Sequence, residues 1–485
     1  MIRFLFNGEP VELETADPNT TILSWLRTTK RQCGTKEGCA SGDCGACTVL
    51  LGSSGHGRWT YVTANACITL LGTVHGRHLV TIEGLSDGHT LHPAQRAMVD
   101  THGSQCGFCT PGFVMSLAAL NLNHPEGVTR AEVLDGISGN LCRCTGYRPI
   151  VDAGLSMHTL PRPDSAPVYT DRPLASDQEG CPSLEWDGRR GYWPRHRDEL
   201  MTVLTQAPGP VRFVAGATDL GLEVTQRYRN FPTLVGLTEV SELADVSVSA
   251  ETVRLGGGVG FGRAAEALEP LFPGIERTFE RIGGAQIRNL GTLGGNFGTA
   301  SPIGDTPPIF LALDATAELW SAQGERRVPV KDFFTGYRTT VLEEREVVGA
   351  IVFDVPGPND TLFVRKVSKR HEDDISAVLA ALFFRVEHGA VTVARLGFGG
   401  MAATPARAAR LEAALIGARP GIDDLGDRLE LLAEDFQPLD DVRASAGYRL
   451  AVARALVSKA WRALAGESVP DVFEQAPEDI RVAAI

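Results

Sequence analysis

The sequence predicts an α+β multidomain chain, and three observations lead there. Its 485 residues exceed what one hydrophobic core organises and point to three or four domains. Strand-like alternation at the N-terminus gives way to helical stretches after His92, then to mixed, glycine-rich sequence. Finally, eight of the ten cysteines form two spaced sets within the first 144 residues, which sets that part of the chain apart.

Taken in order, residues 2–15 alternate apolar and polar on either side of Asn7-Gly8, a hairpin signal. Thr20 or Thr21 then caps a short amphipathic helix over 22–27. A loop rich in Gly and Cys follows over 33–47, with strands over 48–51 and 61–62. Hairpin, helix, loop and strands describe a β-grasp module, expected over 1–78. Four short helices over 92–100, 110–121, 128–137 and 147–158 make a helical module over 79–160. Residues 161–190, rich in Pro, Asp, Ser and Gly without periodicity, read as a linker. A mixed domain is expected over 191–358. A last domain over 359–470 has strands at 362–368, 380–386 and 391–398, then helices, and a tail covers 471–485.

Composition is ordinary, 43% hydrophobic and 22% charged. The net charge of −13 argues against a nucleic-acid or anionic-membrane partner, which need basic faces. No signal-peptide pattern opens the chain, and its longest apolar run, 377–384, falls short of the roughly 18 residues that cross a bilayer. A cytoplasmic chain is therefore expected, where clustered cysteines serve as metal ligands more than as disulfides.

The first set is Cys39-x4-Cys44-x2-Cys47, then Cys67 after nineteen intervening residues. That spacing is of the plant-type ferredoxin kind and suits a 2Fe–2S cluster. Glycines 42 and 45 let successive amides turn toward a negatively charged core. The second set is Cys106-x2-Cys109 with Cys142-x-Cys144. Read alone, two cysteine pairs also suit zinc; the glycine-rich surroundings favour a second 2Fe–2S cluster. Cys33 and Cys181 have no spaced partners and read as free thiols.

No G-x-G-x-x-G dinucleotide fingerprint is present, and Gly256–Gly260 reads as a bulged strand end. Two other glycine turns have amides suited to a pyrophosphate: Gly216-Ala217-Thr218-Asp219 after a strand over 211–215, and Thr292-Leu293-Gly294-Gly295-Asn296 followed by Ser301 and Asp305. As bare pattern, structural and phosphate-binding roles are equally open for both.

The segments Gly34–Cys39, Gly42–Cys47, Gln105–Gly112 and Gly139–Tyr147 closely resemble the iron–sulfur part of the molybdenum hydroxylases, and the resemblance continues through the rest of the chain. That family includes xanthine dehydrogenases, aldehyde oxidases and carbon monoxide dehydrogenases. The resemblance implies a β-grasp ferredoxin-like 2Fe–2S domain, a four-helix 2Fe–2S domain, a non-Rossmann α+β FAD-binding domain and a C-terminal α+β flavoprotein domain. It implies FAD contacts from Phe213, Val214, Ala215, Gly216, Ala217, Thr218, Asp219, Leu220, Thr292, Leu293, Gly294, Gly295, Asn296, Ser301 and Asp305. Lys366 matches a lysine beside the isoalloxazine, where its charge would tune the reduced ring; a solvated surface lysine is the alternative. Ile282 stands where the family commonly has an aromatic residue against the flavin.

No molybdenum domain is found in the sequence. The resemblance therefore implies a large molybdopterin-binding partner subunit, in a dimer of heterodimers. Electrons would run from its molybdenum to the helical-module cluster, the ferredoxin-like cluster, FAD and NAD+. Xanthine is the expected substrate of such a complex, with aldehydes or N-heterocycles as the alternative. A stand-alone NADH-oxidising reductase is the remaining, different reading.

Overall fold

The computed structural model describes residues 1–55, 58–163, 165–170 and 180–469. The expected 471–485 tail and the middle of the expected linker lie outside the described residues.

Asn7 and Gly8 both adopt left-handed backbone, φ 45° and 79°, as a two-residue hairpin turn requires. Strand Ile2–Phe6 pairs antiparallel with Glu9–Leu13 and parallel with His78–Val80. Thr48–Gly55 and Arg58–Asn65 complete a five-stranded β-grasp sheet. These two strands run beyond the expected 48–51 and 61–62. Ser53, Ser54 and Gly55, outside the expected strand, pair in register with Thr60, Trp59 and Arg58. Thr21 caps the Ile22–Thr28 helix, its hydroxyl accepting from the Ser24 N–H.

The two-residue period of the strands buries both faces of this sheet. Ile2, Phe4, Val49 and Leu51 pack with Trp25 of the helix, while Leu50, Tyr61 and Val80 pack with Phe113, Leu117 and Ile150 of the helical module. Each such fully buried apolar side chain contributes about 1.5–3 kcal/mol. The four expected helices are present as Pro93–Asp100, Thr110–Asn123, Arg130–Gly136 and Arg148–Ser156.

The expected 161–190 linker is a correction. Val168 is buried against the helical module, and its carbonyl accepts from the Tyr61 hydroxyl. Further on, Ser183–Trp186 and Arg189–Tyr192 form a hairpin. Its turn is Asp187-Gly188, φ 47° and 76°, a local hairpin signal hidden by the polar composition around it. Arg189–Tyr192 then pairs parallel with Thr233–Gly236, which pairs parallel with Val211–Val214. A second, antiparallel sheet orders Val246–Val248, Thr252–Gly256, Val347–Asp354, Thr316–Ser321 and Gly324–Pro329.

The last domain is an antiparallel sheet of Asp360–Val367, Val378–Glu387, Ala390–Gly399 and Ala406–Arg407, with the Ala446–Leu464 helix packed on it. Its other face shares a core with the preceding domain: Val364, Leu379 and Phe383 join Ile309, Phe310 and Phe353. Among the described residues, no helix is long and apolar enough to cross a membrane.

Candidate cofactor sites

The first cysteine loop is bent inward by left-handed residues Ala40, Gly42 and Gly45, φ 54°, 86° and 64°. The bend aims backbone amides at sulfur: Ser41 N–H and Cys44 N–H both donate to Cys39 Sγ at 3.4 Å. Cys47 Sγ lies 3.2 Å from Cys67 Sγ, and both are buried. The four thiols thus stand as two pairs, Cys39 with Cys44 and Cys47 with Cys67. The Cys39 thiol is held down to about 4, chiefly by the hydrogen bond from Cys44, and Cys67 is pushed up by sharing a proton with Cys47 and by burial.

The second set repeats this two-and-two arrangement, with Cys106 against Cys144 and Cys109 against Cys142. Cys109 sits at the entry to the Thr110–Asn123 helix. Thr145 donates from both its N–H and its hydroxyl to Cys142 Sγ, and the Tyr147 hydroxyl accepts from the Cys142 N–H at 2.9 Å. Cys106 and Cys144 are exposed and Cys47 and Cys67 are not, so the second set is the one open to the surface. Among the described residues, no three His, Cys, Asp or Glu side chains gather as a single-ion site would need. Paired thiols with amide donors fit a core of two irons, each taking two thiolates.

The two loops touch: Leu141 N–H donates to the Cys44 carbonyl at 3.0 Å, and Asn140 Nδ2 donates to the Gly45 carbonyl. Cys33 is exposed and Cys181 half-buried, both as free thiols.

The FAD candidates come from two turns of the third domain and from Lys366 on the first strand of the last. Phe213 and Val214 end a strand, Ala215–Asp219 make the turn with Ala217 at φ 60°, and Leu220 opens the Leu220–Thr225 helix. Thr292 caps the Leu293–Thr299 helix by accepting from Gly295 N–H at 3.0 Å, so Leu293, Gly294, Gly295 and Asn296 are a helical first turn and not an open loop. The two turns are neighbours, since a Cβ on Gly295 would sit 3.8 Å from Ala215 Cβ. Amides at two adjacent helix starts fit a pyrophosphate. Two of the glycines have a packing reason as well: a Cβ on Gly216 would lie 1.7 Å from the Leu290 carbonyl oxygen, and one on Gly294 2.7 Å from that of Gly257.

Ser301 Oγ accepts from the Ile303 N–H, and Asn296 Oδ1 accepts from Thr306. Asp305 caps nothing; its carboxylate takes the Lys366 ammonium at 2.7 Å and the Ser376 hydroxyl. Lys366 is buried, so the solvated-lysine alternative does not hold. Ile282 is buried in the shared core, beside Arg281, whose guanidinium donates to the Lys366 carbonyl. Three contacts had no sequence signal. Thr225 and Gln226, ending the Leu220–Thr225 helix, donate to the Ala40 carbonyl of the first cysteine loop. Gln286 is the third, buried among all three modules.

Four family models match in succession: a 2Fe-2S iron-sulfur cluster binding domain over 4–71 and a [2Fe-2S] binding domain over 81–155, then an FAD binding domain in molybdopterin dehydrogenase over 188–356 and a CO dehydrogenase flavoprotein C-terminal domain over 363–464. Xanthine dehydrogenase of Drosophila subobscura is 33% identical, over 96% of this chain and 39% of its own length. Xanthine dehydrogenase/oxidase of Mus musculus is 32% identical, over 82% of this chain and 34% of its own length. The chain thus spans well under half of these relatives. Among solved structures, a chain of Cu,Mo-CO dehydrogenase aligns with TM-score 0.53 and 26% identity, covering 57% of this chain and 98% of that one. Quinoline 2-oxidoreductase from Pseudomonas putida 86 aligns with TM-score 0.50 and 27% identity, over 56% of this chain and 96% of that one.

Two 2Fe–2S domains ahead of an FAD-binding domain define an electron-transfer module. The chain belongs to the molybdenum hydroxylase family, as its 2Fe–2S and FAD region.

Proposed function

We propose that this chain is the electron-transfer subunit of a molybdenum-dependent xanthine dehydrogenase, delivering electrons to NAD+. Cys39, Cys44, Cys47 and Cys67 would hold one 2Fe–2S cluster, and Cys106, Cys109, Cys142 and Cys144 the other. The Phe213–Leu220 and Thr292–Asn296 turns, with Ser301, Asp305 and Lys366, would hold FAD. When bound, these groups supply one-electron storage at iron and two-electron storage at the flavin.

The protein's own part is spatial. The second cysteine set, with Cys106 and Cys144 exposed, would face a large molybdopterin-binding partner in a dimer of heterodimers. The first set, with Cys47 and Cys67 buried, has its loop bonded to the flavin domain by Thr225 and Gln226. The observation that carries this reading is the direct bond from Leu141 N–H to the Cys44 carbonyl, which joins the two candidate ligand loops. A separate large subunit is supported by the Cu,Mo-CO dehydrogenase chain, matched over 98% of its length by 57% of this one. Purification from the native host tests the whole reading: about four irons and one flavin per chain are expected, with a large chain that oxidises xanthine and reduces NAD+. Fewer irons, or no flavin, overturns it. Quinoline 2-oxidoreductase among the structural neighbours favours one second reading, a partner acting on N-heterocycles or aldehydes, and a substrate screen of the same complex separates the two.

A further inference from the structure

Four glycines from three modules meet at one point. A Cβ on Gly45 would lie 2.2 Å from the Gly139 carbonyl oxygen, one on Gly112 2.2 Å from that of Gly45, and one on Gly284 2.4 Å from Gly139 Cα. Gly45 lies between Cys44 and Cys47, Gly112 three residues after Cys109, Gly139 three before Cys142, and Gly284 two after Ile282. Both candidate cysteine loops and the Ile282 stretch of the flavin domain therefore send a bare stretch of backbone to this junction.

One side chain crosses it. Gln286 is 1% exposed, on the Ala285–Leu290 helix. Its Nε2 donates to Thr48 Oγ1 at 3.0 Å, next to Cys47, and to Asn140 Oδ1 at 3.1 Å, two residues before Cys142. Asn140 in turn holds the Gly45 carbonyl and accepts from Ser116 Oγ. The rest of the helix aims the same way: Ile287 Cδ1 lies by Gly42, Arg288 pairs with Asp135, and Asn289 Nδ2 donates to Thr63 Oγ1 at 2.9 Å. Gln286 Oε1 meanwhile is buried without a partner, a state that costs about 1–3 kcal/mol. The Nε2 bonds to Thr48 and Asn140 offset that cost, so what sets the residue apart is the link it makes between the three modules.

We infer that Gln286 is the positioning residue that fixes the flavin-bearing segment against both cysteine loops, and that it sets the rate of electron transfer between the first cluster and the flavin. The inference rests on the electron-transfer reading above. In the step concerned, one electron leaves the reduced cluster, which is oxidised, and arrives on the flavin, which is reduced; no bond forms or breaks.

The test is Gln286→Leu in the purified holoenzyme. No buried partner is orphaned by this change, since Ser116 still bonds Asn140 Oδ1 and Asn140 Nδ2 still bonds Thr48 Oγ1. Iron, flavin and melting temperature are therefore expected to stay near native. After rapid reduction, the cluster-to-flavin step is expected to slow several-fold, because the helix that carries Gln286 is no longer tied to Thr48 and Asn140 of the two cysteine loops. The exchange between clusters and each cluster's own electron-paramagnetic-resonance spectrum should be unchanged. Thr48→Val, which removes one acceptor of Gln286 together with the hydroxyl's bonds to Asn140 Nδ2 and the Gly45 carbonyl, is expected to slow the same step less and to add little on top of Gln286→Leu. An unchanged cluster-to-flavin rate in Gln286→Leu overturns the inference, as does equal slowing of both steps. If Gln286→Leu fails to accumulate, Thr48→Val decides alone, and an unchanged rate there overturns it. A native holoenzyme lacking flavin or half its iron would instead sink the underlying reading and is seen before any variant is made.

Discussion

Lys366 and Asp305 form an ion pair with Nζ 2.7 Å from Oδ2, their side chains 2% and 7% exposed. The second carboxylate oxygen accepts from Ser376 Oγ. Sixty-one residues separate the two, and the pair ties the third domain to the first strand of the last.

Removing one member of such a pair leaves a buried charge alone, which costs on the order of 3–5 kcal/mol. Lys366→Met and Asp305→Leu are each expected to lower the melting temperature by many degrees. The double variant, with no charge left, should be more stable than the sum of the two losses predicts. Additive losses in calorimetry would mean that the two groups do not act as a pair.

Gly45→Ala tests the loop junction. The residue has φ 64°, and its added Cβ would meet the Gly139 carbonyl oxygen at 2.2 Å. The left-handed backbone alone costs about 1–2 kcal/mol, and the clash adds to it. Because Asn140 and Leu141 bond this same loop, iron loading of both cysteine sets is expected to fall. Native iron content in the variant would refute the coupling.

The sequence was most legible where chemistry is local. Asn7-Gly8 specified its turn, Thr20-Thr21 the start of the first helix, and the cysteine spacing its two sets. The partners within the second set, Cys106 with Cys144 and Cys109 with Cys142, nevertheless lie across its two segments. It was least legible where composition masked a local signal or where contacts span modules. The Ser183–Trp186 and Arg189–Tyr192 hairpin was lost in polar sequence despite Asp187-Gly188. Gly216 and Gly294 carry backbone packing that the phosphate reading did not include. Gln286 sits 146 residues from Asn140 and 238 from Thr48, so nothing nearby in the sequence announces it.

Ligand substitution separates two dinuclear clusters from zinc. Cys44→Ser and Cys142→Ser are each expected to remove about two irons and one of two paramagnetic signals, leaving the other intact. The four thiols of each set stand as two pairs around one core, so losing one thiolate costs that core and leaves the other set complete. Zinc recovered in place of iron at the second set, with one paramagnetic signal in the native protein, would contradict this.

Acid should weaken the β-grasp module through His78. The ring is fully buried, and its Nε2 accepts from the Gly8 N–H at 3.0 Å. Nδ1 therefore carries the proton toward the Tyr61 hydroxyl, which donates onward to the Val168 carbonyl. Protonating Nε2 would set one N–H against another, and burial already holds the imidazole down to about 4 from 6.5. The unfolded chain takes up a proton near 6.5 and the folded one does not until about 4. Stability is then full above 6.5, falls as pH drops through the window, and levels off below 4. The slope for one such group is about 1.4 kcal/mol per pH unit. His75 and His92, lowered to about 4 and about 3 chiefly by burial, add to it in the same direction. Urea unfolding between pH 7 and 4 should show this loss, and His78→Gln, whose amide does not titrate, should flatten it by one proton's worth. An equally steep profile in the variant would assign the loss to other groups.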